Sequence, residues 1–225
     1  MTMQFDRVSV TKGTREILSE ITLSLTEQRI GVIGNNGSGK STFLRLFNGL
    51  EKPSTGTVRF GESTDDLRRH VGFMFQNPDN QIVYPMVEED LAFGLKARKL
   101  PKAESETRIE RVLSELSLTH LKGRLTHQLS GGEKQMVALA GVLVTEPEMI
   151  VFDEPTTLLD LRNKMQFMRV LATLPQPAVV VSHDLDLLAG FDRILHIAGG
   201  RIHADGRPED VIPAYKALCE DLGGC

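Results

Sequence analysis

The chain has 225 residues, 40% of them hydrophobic and 25% charged, and a formal net charge of −4. That length can bury one large core, or one core with a subdomain, and so small a negative charge gives no reason to expect bulk binding to nucleic acid. The longest clean apolar stretch, Met136 to Val144, is about half of what a bilayer span needs, and Gln4, Asp6, Arg7, Lys12 and Arg15 interrupt the N-terminus where a secretory signal would be apolar. A cytosolic protein is expected, one that reaches a membrane only through partners. Its two cysteines, Cys219 and Cys225, lack metal-ligand company and read as reduced thiols.

Residues 4–10 and 21–25 alternate in the strand manner, with Ile21, Leu23 and Leu25 on one face. The apolar run Ile30-Gly31-Val32-Ile33 then leads into Gly34-Asn35-Asn36-Gly37-Ser38-Gly39-Lys40-Ser41-Thr42. Beyond it Phe43, Leu46, Phe47 and Leu50 recur at helical spacing, so a strand, a glycine-rich loop and a buried helix are expected. The loop fits G-x-x-x-x-G-K-[ST]: backbone N–H groups cradle phosphates, the lysine reaches the β and γ phosphates, and the hydroxyl of Ser41 holds Mg²⁺. The helix starting near Lys40 turns its positive end toward the same anion.

Pro53-Ser54-Thr55-Gly56 reads as a turn into the strand Thr57-Val58-Arg59-Phe60, and Val71, Phe73 and Phe75 share one face of another. From Asn77 to about Gln128 the pattern is helical. Ile109, Val112, Leu113 and Leu116 form a stripe, and Pro101 sits where a helix can begin. Three apolar runs, Met149–Phe152, Ala178–Val181 and Ile194–Ile197, alternate with helical segments, which argues for a parallel sheet covered by helices. Gly199-Gly200 is a two-residue hairpin signal. One α/β domain over 1–225 is expected, with an inserted helical subdomain at 77–128.

Met149-Ile150-Val151-Phe152-Asp153-Glu154 is a strand ending in two carboxylates. Neighbouring strand residues point to opposite sides, so the two cannot do the same job. In phosphate-loop NTPases a carboxylate here orders the Mg²⁺ shell, a role assigned to Asp153, which leaves Glu154 to accept a proton from attacking water or to orient it. Leu129-Ser130-Gly131-Gly132-Glu133 opens a helix with the apolar stripe Met136, Leu139, Ala140 and Leu143. Ser130 and Glu133 have capping-box spacing, while the two glycines offer bare N–H groups to a second face of an anion.

Taken in order, Gly34 to Thr42, Gln76, Leu129 to Glu133, Met149 to Glu154, Thr156-Thr157-Leu158-Leu159-Asp160 and Ser182-His183-Asp184 resemble the Walker A, Q-loop, signature, Walker B, D-loop and H-loop of an ATP-binding-cassette ATPase. The resemblance implies a phosphate-loop NTPase core with a mixed, mostly parallel sheet, antiparallel N-terminal strands and an inserted helical subdomain. It implies ATP and Mg²⁺, with Asn35, Asn36, Gly37, Ser38, Gly39, Lys40, Ser41 and Thr42 on the nucleotide and Ser41, Gln76 and Asp153 on the metal. Gln76 would also contact the attacking water, and His183 would hydrogen-bond the γ-phosphate, as a neutral or a positive imidazole equally could. A head-to-tail dimer is implied, in which Ser130, Gly131, Gly132 and Glu133 of one subunit meet the nucleotide of the other and Asp160 lies in the D-loop. The remaining histidines, among them His120, match no motif and read as surface or core residues.

Two features depart from the family or subdivide it. No aromatic precedes the second strand, where family members stack adenine, so Lys12 or Arg15 is expected to pack over the purine by a cation–π contact. Phe75-Gln76-Asn77-Pro78-Asp79-Asn80-Gln81 and Val87-Glu88-Glu89-Asp90-Leu91-Ala92-Phe93-Gly94 resemble segments of energy-coupling-factor transporter ATPases. That resemblance implies a peripheral protein at the cytoplasmic face of the membrane, paired with itself or with a paralogue. It would drive a membrane scaffold (T-component) and a separate substrate-capturing membrane protein (S-component), touching neither nucleic acid nor the transported compound. Gln81 and its neighbours would line the surface meeting the scaffold. In its compact length and its end at Cys225 the chain looks most like the ATPase of biotin uptake systems of this type, which implies biotin as the imported compound; a cobalt or nickel importer and a soluble non-transport cassette ATPase are the alternatives.

Overall fold

A computed structural model describes residues 2–221. The chain opens with β1 (Met3–Lys12) and β2 (Arg15–Leu25), an antiparallel hairpin closed at Gly13 that sets Lys12 opposite Arg15. The second strand thus begins well before residue 21. Then come β3 (Arg29–Ile33), α1 (Lys40–Phe47), β4 (Thr55–Phe60) and β5 (Val71–Met74). Helices α2 (Val87–Leu95), α3 (Lys102–Glu115) and α4 (Gly131–Leu143) follow, then β6 (Met149–Asp153) and α5 (Leu161–Thr173). The chain ends with β7 (Ala178–Val181), α6 (Leu185–Leu188), β8 (Arg193–Ala198), β9 (Arg201–Gly206) and α7 (Pro208–Asp221).

These elements form two compact units. The first takes the chain up to Phe73, Met149–Glu154 and everything from Gln176 onward. It holds a three-stranded sheet in the order β2-β1-β4 and a six-stranded sheet in the order β5-β6-β7-β3-β8-β9. β6 with β7, β7 with β3, and β3 with β8 are parallel, while β9 runs antiparallel to β8 through Gly199 and Gly200, both at positive φ. All of β6 and β7 is buried, as expected of parallel strands covered on both faces. Helix α1 packs on β6, β7 and β2, and the rings of Phe43 and Phe47 each lie 5.0–5.1 Å from Phe5 of β1, joining the two sheets through one apolar cluster. Arg193 of β8 fastens the edge: its guanidinium meets Asp205, Glu27 and the Ser24 carbonyl. The parallel strands β3, β6 and β7 therefore deliver Gly34, Asp153 and Ser182 to one edge of the sheet, where open α/β sheets bind ligands.

The second unit is Met74–Glu148 with Pro155–Pro175, more of the chain than the helical segment alone. Pro101 precedes α3, whose Ile109, Val112 and Leu113, with Leu116 just after, are buried. Helix α4 is buried nearly all round from Gln135 to Ala140, which makes it the centre of this unit. Asp90 of α2 is also buried, and its Oδ1 accepts hydrogen bonds from the N–H groups of Val83 and Tyr84 at 2.8 and 3.0 Å, folding the preceding loop onto the helix start. No helix among the described residues is long and apolar enough to cross a membrane. Cys219 lies in α7; Cys225, the other cysteine expected as a reduced thiol, lies outside the described residues.

Candidate functional site

In the first unit, Gly34 follows β3 at φ 145, and a Cβ there would lie 2.2 Å from the Ile197 carbonyl oxygen, so only glycine lets the loop pass so close to β8. The loop enters α1 through Gly39, a left-handed N-cap with no side-chain hydrogen bond, so the N–H groups of the first turn are left for an anion. Lys40 is buried and folds back on the loop, donating from Nζ to the Gly34 and Asn35 carbonyls at 2.7 and 3.0 Å. Burial pulls its pKa down, against the opposing pull of Glu154 and Asp153. The Ser38 hydroxyl is buried and has no hydrogen-bond partner among the described residues, an orphaned polar atom within the loop that fits an oxygen-rich ligand there.

The two carboxylates at the end of β6 meet different partners, and the backbone sharpens the separation. Asp153 ends the strand with only 8% of its surface exposed and accepts a hydrogen bond from the Ser41 hydroxyl at 3.2 Å. Burial pushes its carboxyl pKa up, partly offset by the Ser41 bond. Glu154 adopts φ 50, uncommon for a residue with a side chain, and its N–H bonds the Val181 carbonyl at 3.0 Å. That turn brings Glu154 Oε1 to 3.2 Å from His183 Nε2 after β7. Ser41 and Asp153 make an all-oxygen pair suited to Mg²⁺, which keeps several waters and uses one or two carboxylates beside substrate phosphates. No cluster of three acidic, histidine or cysteine residues competes as a metal site among the described residues.

A cleft of about 280 Å³ beside the loop is lined by Asn36, Gly37, Gly39, Lys40, Ser41, Thr42, Glu154 and, from β2, Arg15 and Ile17. Of the two basic residues considered for the purine, Arg15 is on this cleft. Lys12, its partner across the hairpin, pairs with Glu51 and does not line it. Ile17, which no motif marks, stands two residues from Arg15 and so on the same face of β2.

In the second unit the start of α4 carries a complete capping box: Ser130 Oγ accepts from the Glu133 N–H at 3.3 Å, and Glu133 Oε2 accepts from the Ser130 N–H at 2.8 Å. These bonds, the Ser130 hydroxyl foremost, hold the Glu133 carboxyl below its ordinary range. Gly131 is open to solvent. Gly132 is buried, and a Cβ on it would lie 2.3 Å from Asn163 Cγ, so α5 props the tip of α4 by direct contact. Asp160 holds that prop by accepting the Asn163 N–H at 2.8 Å as the N-cap of α5. A cleft of about 450 Å³ is lined by Ser130, Gly132, Glu133, Asp160, Asn163 and His120 among others, which gives His120 a place that no motif signalled.

Gln76 is exposed on the segment after β5. Gln81 is half-buried, and its amide is used internally, Oε1 accepting from the Phe75 N–H at 3.2 Å and Nε2 donating to the Ala138 carbonyl at 2.7 Å, so it braces this segment against α4. The exposed apolar groups are its neighbours: Val83 is 62% and Phe93 45% exposed, with Tyr84 against Phe93 and the Lys96 ammonium over both rings.

A strand-loop-helix phosphate cradle beside a paired serine and aspartate is the geometry of a phosphate-loop nucleotide-binding protein. The sequence profile of the ABC transporter family matches residues 18–157. The chain belongs to that family, among its ATP-hydrolysing subunits. It is similar to the biotin transport ATP-binding protein BioM of Rhizobium etli, 48% identical over 97% of this chain and 99% of that one. It is 41% identical to the energy-coupling factor transporter ATP-binding protein EcfA1 of Mycoplasma pneumoniae, over 83% of this chain and 72% of that one. Among solved structures it resembles cbiO1 of Clostridium perfringens, described as part of the ABC transporter complex cbiONQ. That match has a TM-score of 0.83 and 32% identity, and covers 98% of this chain and 93% of that one.

Proposed function

We propose that this chain is the ATPase of an energy-coupling-factor importer and that the compound imported is biotin. The observation that carries the substrate is the likeness to a biotin transport ATP-binding protein along almost the full length of both chains. The exposed group formed by Val83, Tyr84, Phe93 and Lys96 supports a membrane scaffold as partner, since an apolar patch with a polar rim is what a docking face offers. A second membrane protein would capture the vitamin, and the ATPase would work as a peripheral subunit on the cytoplasmic face.

In this reading the triphosphate lies along Asn35 to Thr42, and Lys40 exchanges the Gly34 and Asn35 carbonyls for the β and γ phosphates. Arg15 packs over the purine. Ser41, Asp153 and Gln76 would hold Mg²⁺, which when bound would neutralise developing charge on the transferred phosphoryl group. Glu154 takes a proton from attacking water or orients it, with His183 beside it reaching the γ-phosphate. Ser130, Gly131, Gly132 and Glu133 of a second subunit, supported by Asp160 and Asn163, complete the site in trans. Closure and reopening are then population shifts set by contacts made only while the γ-phosphate is present.

The test is reconstitution with the co-purifying integral membrane proteins. ATP-dependent uptake of labelled biotin is expected, and uptake of cobalt or nickel in its place would sink the substrate assignment. In the same preparation Glu154→Gln should retain ATP in a closed dimer while phosphate release falls about a hundredfold or more. Undiminished release would remove Glu154 from its role.

A further inference from the structure

Tyr215 lies in α7, 180 residues beyond the phosphate loop, yet its hydroxyl donates a 3.0 Å hydrogen bond to Asn35 Oδ1. Helix α7 is seated on β8 and β9 by Val211, Ile212 and Tyr215, all buried. The Tyr215 ring meets the His196 ring nearly edge-on at 4.8 Å, and His196 meets His203 at 5.0 Å. His196 belongs to β8 and pairs with Ile33, the last residue of the strand that feeds the loop. Burial raises the pKa of the Tyr215 phenol, and burial together with His203 lowers that of the His196 imidazole. Near neutral pH the phenol therefore keeps its donor proton and His196 packs uncharged.

Asn35 is where this arrangement meets the chemistry. Its side chain is held from outside the loop by Tyr215, and its carbonyl holds the Lys40 ammonium. A loop that must be ordered by its ligand binds more weakly than one ordered beforehand, because the ordering entropy is charged to binding.

We propose that Tyr215 is a positioning residue of the nucleotide site: through Asn35 it keeps the phosphate loop in shape to receive a triphosphate, so the C-terminal helix sets ATP affinity without touching ATP. The proposal rests on the assignment of ATP to the loop Gly34–Thr42. It adds to that site a residue from a part of the chain in which no nucleotide motif falls.

The experiment is calorimetric binding of ATP with Mg²⁺ to the full chain, for the parent, Tyr215→Phe, Asn35→Ala and the double variant, with Lys40→Ala as reference. Tyr215→Phe keeps the ring on His196 and deletes one oxygen, and a thermal melt verifies that the fold is kept. Its Kd is expected to rise about three- to tenfold, the range of an ordinary intramolecular hydrogen bond. The phenylalanine should add no further loss on top of Asn35→Ala. In turnover assays KM should rise with kcat unchanged. A Kd within about twofold of the parent, or an undiminished loss in the Asn35→Ala background, would overturn the proposal. Should Lys40→Ala bind ATP as the parent does, the loop assignment fails instead, whatever Tyr215 does.

Discussion

Two helices of this protein start at glycine-rich tips and are finished in opposite ways. At α1 the N-cap is a left-handed Gly39 with no side-chain bond, the Ser38 hydroxyl lacks a partner among the described residues, and Lys40 is turned onto the loop's own carbonyls. At α4 the N-cap is Ser130, and its hydroxyl and N–H are both satisfied by Glu133. The first tip is unfinished without an anion. The second is finished as a helix end by its own side chains. In the function proposed above, α1 would be where the anion binds and α4 where a second subunit would complete the site.

The largest expected break in that contrast is Lys40→Ala. Removing the cation poised at the unfinished tip should weaken ATP binding about ten- to a hundredfold on the isolated chain, the range for charge-assisted hydrogen bonds, as read by calorimetry. Ser130→Ala should behave differently. It removes a helix cap worth about 1 kcal/mol, seen as a lower denaturation midpoint, while ATP affinity of the isolated chain stays at the parent value. Loss of that affinity in the serine variant would erase the distinction between the tips.

The smallest effects separate the carboxylates of the two regions. Glu133 has a pKa below its ordinary 4.5 in the folded chain, so its contribution to stability is present above that pH and is lost as pH falls through the depressed value. Asp153 has its pKa raised above its ordinary 3.8, so its burial penalty is present above the raised value and is relieved as pH falls toward 3.8. Accordingly Asp153→Asn should raise the thermal midpoint at pH 7, and that gain should shrink as pH is lowered. Glu133→Ala should cost stability at pH 7 and cost less in acid. Melts between pH 4 and 7 check both, and a loss of stability in Asp153→Asn at pH 7 would contradict the burial argument.

Much of the site was legible because its chemistry is local. Gly34 to Thr42 announces a phosphate loop by residue type and spacing, and Ser130 with Glu133 announces a helix start in the same way. Pairings between distant segments were not legible. The choice between Lys12 and Arg15 depended on a hairpin register in which Lys12 finds Glu51 while Arg15 stays on the cleft. The internal use of the Gln81 amide is hidden as well, because nothing nearby in sequence shows that the Ala138 carbonyl waits for it. Tyr215 was passed over for the same reason.

What the sequence determined by itself is the set of parts: the alternating strands and helices, the anion-binding loop, the carboxylate pair at a strand end and the capped glycine tip. Each is written in a few adjacent residues, because hydrogen bonding and side-chain periodicity over that range leave few alternatives. Only the tertiary structure decided how the parts are oriented. The left-handed turn at Glu154 that carries its carboxylate to His183, the wedge of Asn163 against Gly132 and the hold of α7 on Asn35 all arise from packing between residues remote in the chain. Such contacts are selected by the whole core at once, and no short window of residues encodes them.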